Sequence, residues 1–148
     1  MTPREFTQRL HERIPLSAAM GIEVSEFSPQ RVLLSAPLKA NINHVGSVFG
    51  GSIYSAGALA CYTMFQAVAG AERPLTDDLV IQHGQIQYLK PVRGDFQVEA
   101  SRPDEDLIRR FFDQLDRIGK GRLEVRARVL YQGEVCAQFA GRYVFSLA

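Results

Sequence analysis

The chain has 148 residues, of which 46% are hydrophobic and 22% are charged. Those values are typical of one globular domain covering residues 1–148, and they exclude intrinsic disorder and low-complexity repeats. Seventeen Lys and Arg residues stand against 16 Asp and Glu residues, so the net charge of +1 provides no general attraction to nucleic acid or to anionic lipid.

The first third of the chain predicts a short helix followed by a β-hairpin. Thr2-Pro3-Arg4-Glu5 is a capping box with proline in the first turn, and Pro15 is expected to end the helix that it starts. Apolar and polar residues then alternate over residues 21–27 and 31–38, which is typical of strands. The turn residues Ser28-Pro29-Gln30 between them complete the hairpin.

The central segment predicts a long buried helix. Residues 50–71 contain no charged side chain and no proline, so we expect a helix that ends near Gly70. It is apolar on nearly every side, and in a globular protein such a helix is surrounded by other elements. Its length approaches that of a membrane span, but its hydroxyl, amide and glycine residues make it too polar, so no membrane association is expected.

The remaining chain completes a sheet. Further strands are predicted over residues 79–89, 96–101, 123–131 and 135–145, and a second amphipathic helix over the segment that opens at Pro103 and stops at Gly119. An antiparallel sheet with one solvated face, wrapped around a single buried helix, is the hot-dog arrangement, an α+β fold. A lone subunit leaves a sheet edge and a helix flank uncovered, so we expect a homodimer or higher oligomer with its ligand site at the seam.

The two cysteines indicate neither a metal site nor a disulfide. Cys61 and Cys136 lie far apart in apolar surroundings without metal-ligand spacing, so both are expected to be buried thiols and no metal is expected. The opening residues are charged from Arg4 onwards and lack the apolar core of an export signal. A cytoplasmic location is the expectation that fits these observations.

A glycine-rich loop, residues 41–51, delivers the N-terminus of the central helix. The unpaired amides of a first helical turn carry partial positive charge, so they form a site for a polarised carbonyl oxygen. Gly50 and Gly51 allow a ligand to approach the backbone closely. An isolated glycine pair more often makes only a tight turn, but the residues around this pair favour a binding site.

This loop resembles the active-site loop of hot-dog acyl-thioester enzymes, which commonly reads Asn-x-x-Gly-x-x-His-Gly-Gly. Asn43, Gly46, Gly50 and Gly51 match that pattern, whereas Phe49 replaces the histidine. A closer resemblance, to the YiiD C-terminal family of thioesterase-like proteins, covers almost the whole chain. It is carried by Ile14-Pro15-Leu16, Ala36-Pro37-Leu38, residues 41–55, Val80-Ile81 and Tyr88-Leu89-Lys90-Pro91-Val92.

The resemblance implies two chemistries, neither of which needs a resident cofactor. One is hydrolysis of an acyl thioester, and the other is decarboxylation of malonyl-acyl carrier protein to acetyl-acyl carrier protein, which primes fatty-acid synthesis. In both, the substrate is carried by the phosphopantetheine arm of acyl carrier protein or coenzyme A. An acidic carrier protein favours a local basic rim, for which the candidates are Lys90, Arg93, Arg109, Arg110, Lys120 and Arg122.

The residues favour decarboxylation. Hydrolysis usually needs a carboxylate that activates water, but residues 37–71 contain no Asp or Glu, and Gly57 and Ala58 stand where an acid is expected. A base from elsewhere, such as His83 or Glu99, leaves hydrolysis open as the alternative. Decarboxylation generates its own anion and needs only donors aimed at the thioester oxygen. A non-catalytic acyl-thioester binding module is the second alternative.

The predicted catalytic groups are the side-chain amide of Asn43, the backbone N–H of Gly51 or Ser52, and the hydroxyl groups of Ser52 and Ser55. Hydroxyls suit a malonyl carboxylate better than arginine does, because a tight salt bridge would stabilise the ground state more than the transition state. The serines also fit ordinary capping and packing roles. The predicted substrate-binding residues are His44, Phe49, Gly50, Tyr54, His83 and Tyr88.

Overall fold

The computed structural model describes residues 1–74 and 78–147, and these ranges contain four helices and six strands. The helices are α1 (Pro3–Arg13), α2 (Pro15–Ala19), α3 (Gly50–Gly70) and α4 (Glu105–Ile118). The strands are β1 (Glu23–Phe27), β2 (Arg31–Ala36), β3 (Leu79–Tyr88), β4 (Phe96–Ser101), β5 (Lys120–Tyr131) and β6 (Glu134–Ser146).

The strands form one antiparallel sheet in the order β1-β2-β4-β5-β6-β3. Burial alternates residue by residue along most of β5, so one face of the sheet packs on α3 and the other meets solvent. This confirms the predicted α+β hot-dog fold, with its long central helix, its additional N-terminal helix and its inserted amphipathic helix. The two longest strands, β5 and β6, pair with each other along most of their length.

Helix α3 rests directly on β6. A Cβ atom placed on Gly57 would stand 2.8 Å from Cβ of Phe139, so the helix approaches the strand more closely than any side chain there would allow. Towards its C-terminal end Phe65 meets Phe111 of α4 edge-on, with ring centroids 5.0 Å apart. The burial of α3 on nearly every side, which its composition predicts, is provided by β4, β5 and β6 and, near its C-terminal end, by α4.

The two edges of the sheet differ. The N-terminal helix α1 covers β1, because the backbone N–H of Val24 donates to Oγ1 of Thr7 (2.9 Å) and Phe6 stacks on Phe27. The opposite edge is β3, whose Val80 and Ile81 side chains are 64% and 43% exposed. An uncovered apolar edge strand is a site at which another chain can pair.

Several strand ends differ by one or two residues from the sequence-based expectation, and two differences have a clear physical reason. Pro15 not only follows the end of α1 but also begins the short helix α2, because proline is well tolerated in a first helical turn. Strand β5 begins at Lys120, three residues before its predicted start, because Gly119 adopts a left-handed conformation (φ 72°) and turns the chain from α4 straight into the strand.

The predicted capping box and buried thiols are both confirmed. Oγ1 of Thr2 accepts the backbone N–H of Glu5, and the Glu5 carboxylate accepts the backbone N–H of Thr2. Cys61 and Cys136 are buried, and burial raises the pKa of the Cys61 thiol well above its ordinary value. Within the described ranges, none of the helices has both the length and the apolar character needed to cross a lipid bilayer.

We expect Gly57→Ala to destabilise the protein, although alanine is the better helix former. The gain in helix propensity is at most about 1 kcal/mol, whereas the contact with Cβ of Phe139 forces a backbone shift that typically costs about 1–3 kcal/mol. The free energy of unfolding, measured in urea, should fall. Gly70→Ala at the exposed end of the same helix is the control, and equal stability of Gly57→Ala and wild type would contradict the close approach.

Candidate functional site

The loop before α3 is anchored by a buried asparagine. The Asn41 side-chain amide donates to the carbonyl oxygens of Met20 and Pro37, both at 2.8 Å. Asn41 is only 3% exposed. The Asn41 carbonyl accepts the N–H of Phe49 (2.7 Å), which closes the loop at the start of the helix. The N–H of Val48 donates to the carbonyl of Val92, so the loop is also fixed to the segment after β3.

Asn43 organises the tip of this loop. Its Oδ1 accepts the backbone N–H groups of Val45 and Ser47, each at 3.0 Å, and its Nδ2 donates to Oγ of Ser47 (2.9 Å). Gly46, between them, has a φ of 85°, which favours glycine. A side-chain amide has two hydrogens, so the second hydrogen of Asn43 is left for a ligand.

The first turn of α3 presents unpaired amides. The backbone N–H groups of Ser52 and Ile53 both donate to the carbonyl of Phe49, at 2.9 and 3.1 Å. Within residues 1–74 and 78–147, the N–H groups of Gly50 and Gly51 have no hydrogen-bond partner. Of the two predicted backbone donors, Gly51 is therefore the one available to a ligand, and it lies at the positive end of a 21-residue helix.

Two aromatic rings border these amides. A Cβ atom on Gly51 would stand 2.3 Å from Cε2 of Phe49, so only glycine lets this ring lie against the helix. The Phe49 side chain is 57% exposed and so forms an outer wall of the site. Tyr88, at the end of β3, donates its hydroxyl to the carbonyl of Gly50 (2.8 Å). Both residues thus lie beside the predicted donor Gly51.

The first two turns of α3 supply hydroxyl groups. Ser52 and Ser55 are half-buried on α3, and Tyr54 is half-buried with its ring edge-on to Phe139, at a centroid distance of 5.1 Å. Contacts thus join Phe49, Gly50, Gly51 and Tyr88 at the start of α3, whereas Ser52, Tyr54 and Ser55 follow along the helix and Asn43 lies on the loop before it. His44 lies on the same loop and is exposed.

His83 is not brought to this site. A β-bulge between Ile81 and His83 places Gln82 as an extra residue, so His83 pairs with Arg142 of β6. Arg142 is exposed between two buried neighbours, and paired residues of antiparallel strands share one face. The bulge therefore moves His83 to the face of the sheet that points away from α3.

Glu99, the other candidate base, also faces away from α3. Its neighbours Val98 and Ala100 are buried against the core, which places the Glu99 carboxylate on the opposite face. There it binds Arg31 and Arg128, both at 2.6 Å. Hydrogen bonds from Arg128 and then Arg31 lower the pKa of Glu99 below its ordinary value, so it serves as the centre of an ion-pair network.

The predicted basic rim is divided between the two ends of α3. Lys90 and Arg93 flank Val92, which bonds to the loop, and Lys90 is paired with Glu134 at 2.7 Å. The other four candidates lie on α4 and at the start of β5, near the end of α3 at which Phe65 packs on α4. Those four are Arg109, Arg110, Lys120 and Arg122.

Two structural determinants of the site were not recognised from the sequence. Asn41 stands two residues before Asn43 and carries the anchoring bonds, and Ser47 is the main partner of Asn43. Ser47 stands four positions after Asn43 in a loop that contains glycine. A short polar residue at that spacing is a sequence signal for a turn closed by side-chain hydrogen bonds. Nothing in the local sequence indicates that Asn41 is buried, because that depends on contacts with Met20 and Pro37.

Residues 3–147 match the family described as "Putative thioesterase (yiiD_Cterm)". The chain belongs to this family. Among solved structures similar to this YiiD C-terminal family member, a protein of unknown function from Chlorobaculum tepidum TLS is 28% identical, with a TM-score of 0.89 and coverage of 99% of this chain and 98% of that one. A Shewanella oneidensis protein described as a "putative thioesterase" is 31% identical, with a TM-score of 0.85 and coverage of 99% and 97%.

The family fold also extends to more distant proteins. A Pseudomonas aeruginosa protein is 24% identical over 97% of this chain and 95% of its own, with a TM-score of 0.78. At that identity the likeness shows the fold alone. Family membership makes this chain a thioesterase-like protein.

Asn43→Asp tests the amide donor without dismantling the loop. Aspartate keeps the oxygen that accepts from Val45 and Ser47, but it replaces the donor amide with an acceptor. We expect turnover of an acyl thioester to fall by about 100-fold or more, which is typical of the loss of one oxyanion donor. Ser47→Ala removes only a partner of Asn43 and should cost far less. Undiminished turnover in Asn43→Asp would remove this amide from the mechanism.

Proposed function

We propose that this protein acts on acyl thioesters whose carbonyl oxygen binds at the N–H of Gly51, beside the side-chain amide of Asn43. The observation that carries the proposal is the unpaired Gly51 amide at the end of a buried helix, bordered by the loop that Asn41 anchors. In this proposal the two N–H donors stabilise an oxygen that becomes more negative as the reaction proceeds, which is the basis of oxyanion stabilisation. Membership of the thioesterase-like family supports the same substrate class.

Hydrolysis is the reaction that the comparisons favour. The family description and the name of the Shewanella relative both refer to thioesterases. In this reaction water attacks the thioester carbonyl, the oxyanion collapses, and the carbon–sulfur bond breaks to release a thiol. A base must take the proton from water, and because His83 and Glu99 face away from α3, a second subunit is the proposed source of that base.

Decarboxylation of a malonyl thioester is the second candidate, and the local residues favour it. Residues 37–71 contain no Asp or Glu, so the segment that forms the site supplies no carboxylate. In this reaction the bond from the α-carbon to the carboxylate breaks, carbon dioxide leaves, and the electron pair spreads onto the thioester oxygen as an enolate. Protonation of the α-carbon then gives the acetyl thioester. The hydroxyls of Ser52, Tyr54 and Ser55 are the proposed partners of the carboxylate.

The carrier of the substrate is proposed to be the phosphopantetheine arm of acyl carrier protein or coenzyme A. Of the basic residues, Lys90 and Arg93 lie at the end of α3 where the thioester would bind. Neither reaction calls for a metal or an organic cofactor, since the donors and the substrate provide the chemistry. A cytoplasmic location is proposed, in keeping with two buried thiols.

One assay separates the reactions. The purified protein is incubated with malonyl-acyl carrier protein and, separately, with malonyl-coenzyme A, and acetyl product, free thiol and carbon dioxide are measured together. Acetyl product formed without thiol establishes decarboxylation, whereas thiol formed without acetyl product establishes hydrolysis. Asn43→Asp protein is the control for contaminating activity. Binding of the substrate without either product would contradict catalysis and support the non-catalytic binding module.

We further propose that two copies of the chain pair through β3. The opposite edge of the sheet is covered by α1, whereas β3 carries exposed Val80 and Ile81 at an edge. Pairing of two such edges would extend each sheet and would bring a second subunit to the α3 flank and the Gly51 amide. In this arrangement the second subunit can supply the base that hydrolysis needs.

Ile81→Lys tests this pairing, because a charged side chain on an edge strand opposes association. Wild type is expected to sediment as a dimer at micromolar concentration, and the variant is expected to shift towards monomer with a parallel loss of turnover. Leu107→Lys on α4 is the matched control, since Leu107 is 40% exposed and Ile81 is 43% exposed. A monomeric wild type, or an equal effect of both variants, would contradict pairing through β3.

A further inference from the structure

Two tyrosines close the space between α3 and β3. Tyr88 reaches from the strand to the first helical turn, where its hydroxyl donates to the carbonyl of Gly50 at 2.8 Å. Tyr54 reaches from the second turn back to the strand, and its hydroxyl would lie only 2.2 Å from a Cβ atom placed on Gly84. Tyr88 thus crosses from β3 to the first turn of α3, and Tyr54 crosses from the second turn of α3 to β3.

Tyr54 occupies a notch that two glycines create. Gly84 of β3 and Gly141 of β6 are directly paired, and both lie on the face of the sheet that meets α3. We call this pair the glycine notch. The hydroxyl end of Tyr54 lies over the Gly84 side of this notch, and its ring meets Phe139 edge-on. A side chain at Gly84 would displace the tyrosine hydroxyl, so the absence of a Cβ there fixes where the ring lies.

Beyond this ring, α3 and β6 are in direct contact at Gly57. Gly57 brings α3 to within contact of Phe139, the residue that also supports Tyr54. With about 1.5 Å of rise per residue, Tyr54 follows Gly51 by roughly 5 Å along the helix axis. An acyl group whose carbonyl binds at Gly51 therefore meets the Tyr54 ring after a few carbon atoms. The neighbouring position on the helix, Ser55, is half-buried and carries a hydroxyl.

We propose that Tyr54, held by the glycine notch, is the specificity-determining residue that restricts this site to short acyl groups, including those with a polar end. The proposal rests on the proposed function, because it assumes that the thioester carbonyl binds at Gly51. It does not depend on which reaction follows, since hydrolysis and decarboxylation start from the same bound carbonyl. Chain length is set by the ring of Tyr54 and does not require its hydroxyl, whose proposed contact with a malonyl carboxylate is a separate role.

The first test measures binding, so that it is independent of turnover. Non-hydrolysable 2-oxoalkyl coenzyme A thioethers with four-carbon and ten-carbon chains are titrated into the protein, and the ratio of their dissociation constants is compared. Wild type is expected to bind the short-chain analogue more tightly by about tenfold or more. A few additional methylene groups can produce a difference in affinity of this size when the pocket has a fixed shape. Tyr54→Ala should reduce that preference at least tenfold, whereas Tyr54→Phe, which keeps the ring, should retain it.

The second test uses the contact with Gly84. Gly84→Ala introduces a methyl group where the Tyr54 hydroxyl lies, so it should displace the ring and weaken the preference for the short chain. Combining it with Tyr54→Phe removes the clashing oxygen and leaves the nearest ring carbon 3.2 Å away, so the double variant should regain the preference. Such non-additivity is the signature of two residues in direct contact. Gln85→Ala, exposed on the same strand, is the control.

The outcomes separate the two proposals. Wild type that binds neither analogue would overturn the proposed function and this inference with it. Wild type that binds both chain lengths equally, or Tyr54→Ala that keeps the preference for the short chain, would overturn the inference alone. Additive effects of Gly84→Ala and Tyr54→Phe would show that the glycine notch does not position the tyrosine. Circular dichroism of each variant checks that the fold is intact.

Discussion

The contact of α3 with β6 is the constraint on which the rest of this structure depends. Because Gly57 lacks a side chain, the helix lies close against Phe139 and the sheet must curl around it. Burial of an apolar helix on nearly every side supplies the main stabilisation of the core. The same burial holds the helix N-terminus in one place, so that the loop and the Gly51 amide are held relative to the sheet. Packing and the candidate chemistry thus depend on one helix position.

The electrostatics of the molecule are divided between the two faces of the sheet. On the solvated face Glu99 joins Arg31 and Arg128 in an ion-pair network. On the face that meets α3, the helix end offers partial positive charge from amides and hydroxyls in place of charged side chains. This division favours reactions in which the substrate brings or generates the negative charge, because no fixed counter-charge on this segment competes for the donors.

Much of the fold could be predicted from the sequence, because periodicity reports directly on burial. The alternation in β5 and the uninterrupted apolar composition of α3 were sufficient to indicate a sheet wrapped around a helix. The predicted members of the site lay mostly in one loop and the helix that follows it, where neighbours in sequence are neighbours in space. Local signals were incomplete where one residue has two roles, as Pro15 has between α1 and α2.

The position of His83 was beyond the reach of sequence patterns for a physical reason. In regular alternation His83 would share a face with Ile81, but one extra residue at the bulge reverses the direction of every later side chain relative to that pattern. The bulge depends on pairing with a strand more than fifty residues away. The same holds for Asn41, whose burial is decided by backbone groups of Met20 and Pro37. Long-range pairing of this kind leaves no mark on the local sequence.

The helix α1 that covers the β1 edge also sets a limit on assembly. Chains that pair edge to edge can grow without end if both edges of every sheet are open. Here Thr7 takes up the Val24 amide and Phe6 stacks on Phe27, so the β1 side is closed to further strands. In the proposed dimer, in which β3 is paired, neither edge of the sheet is therefore left for an additional strand.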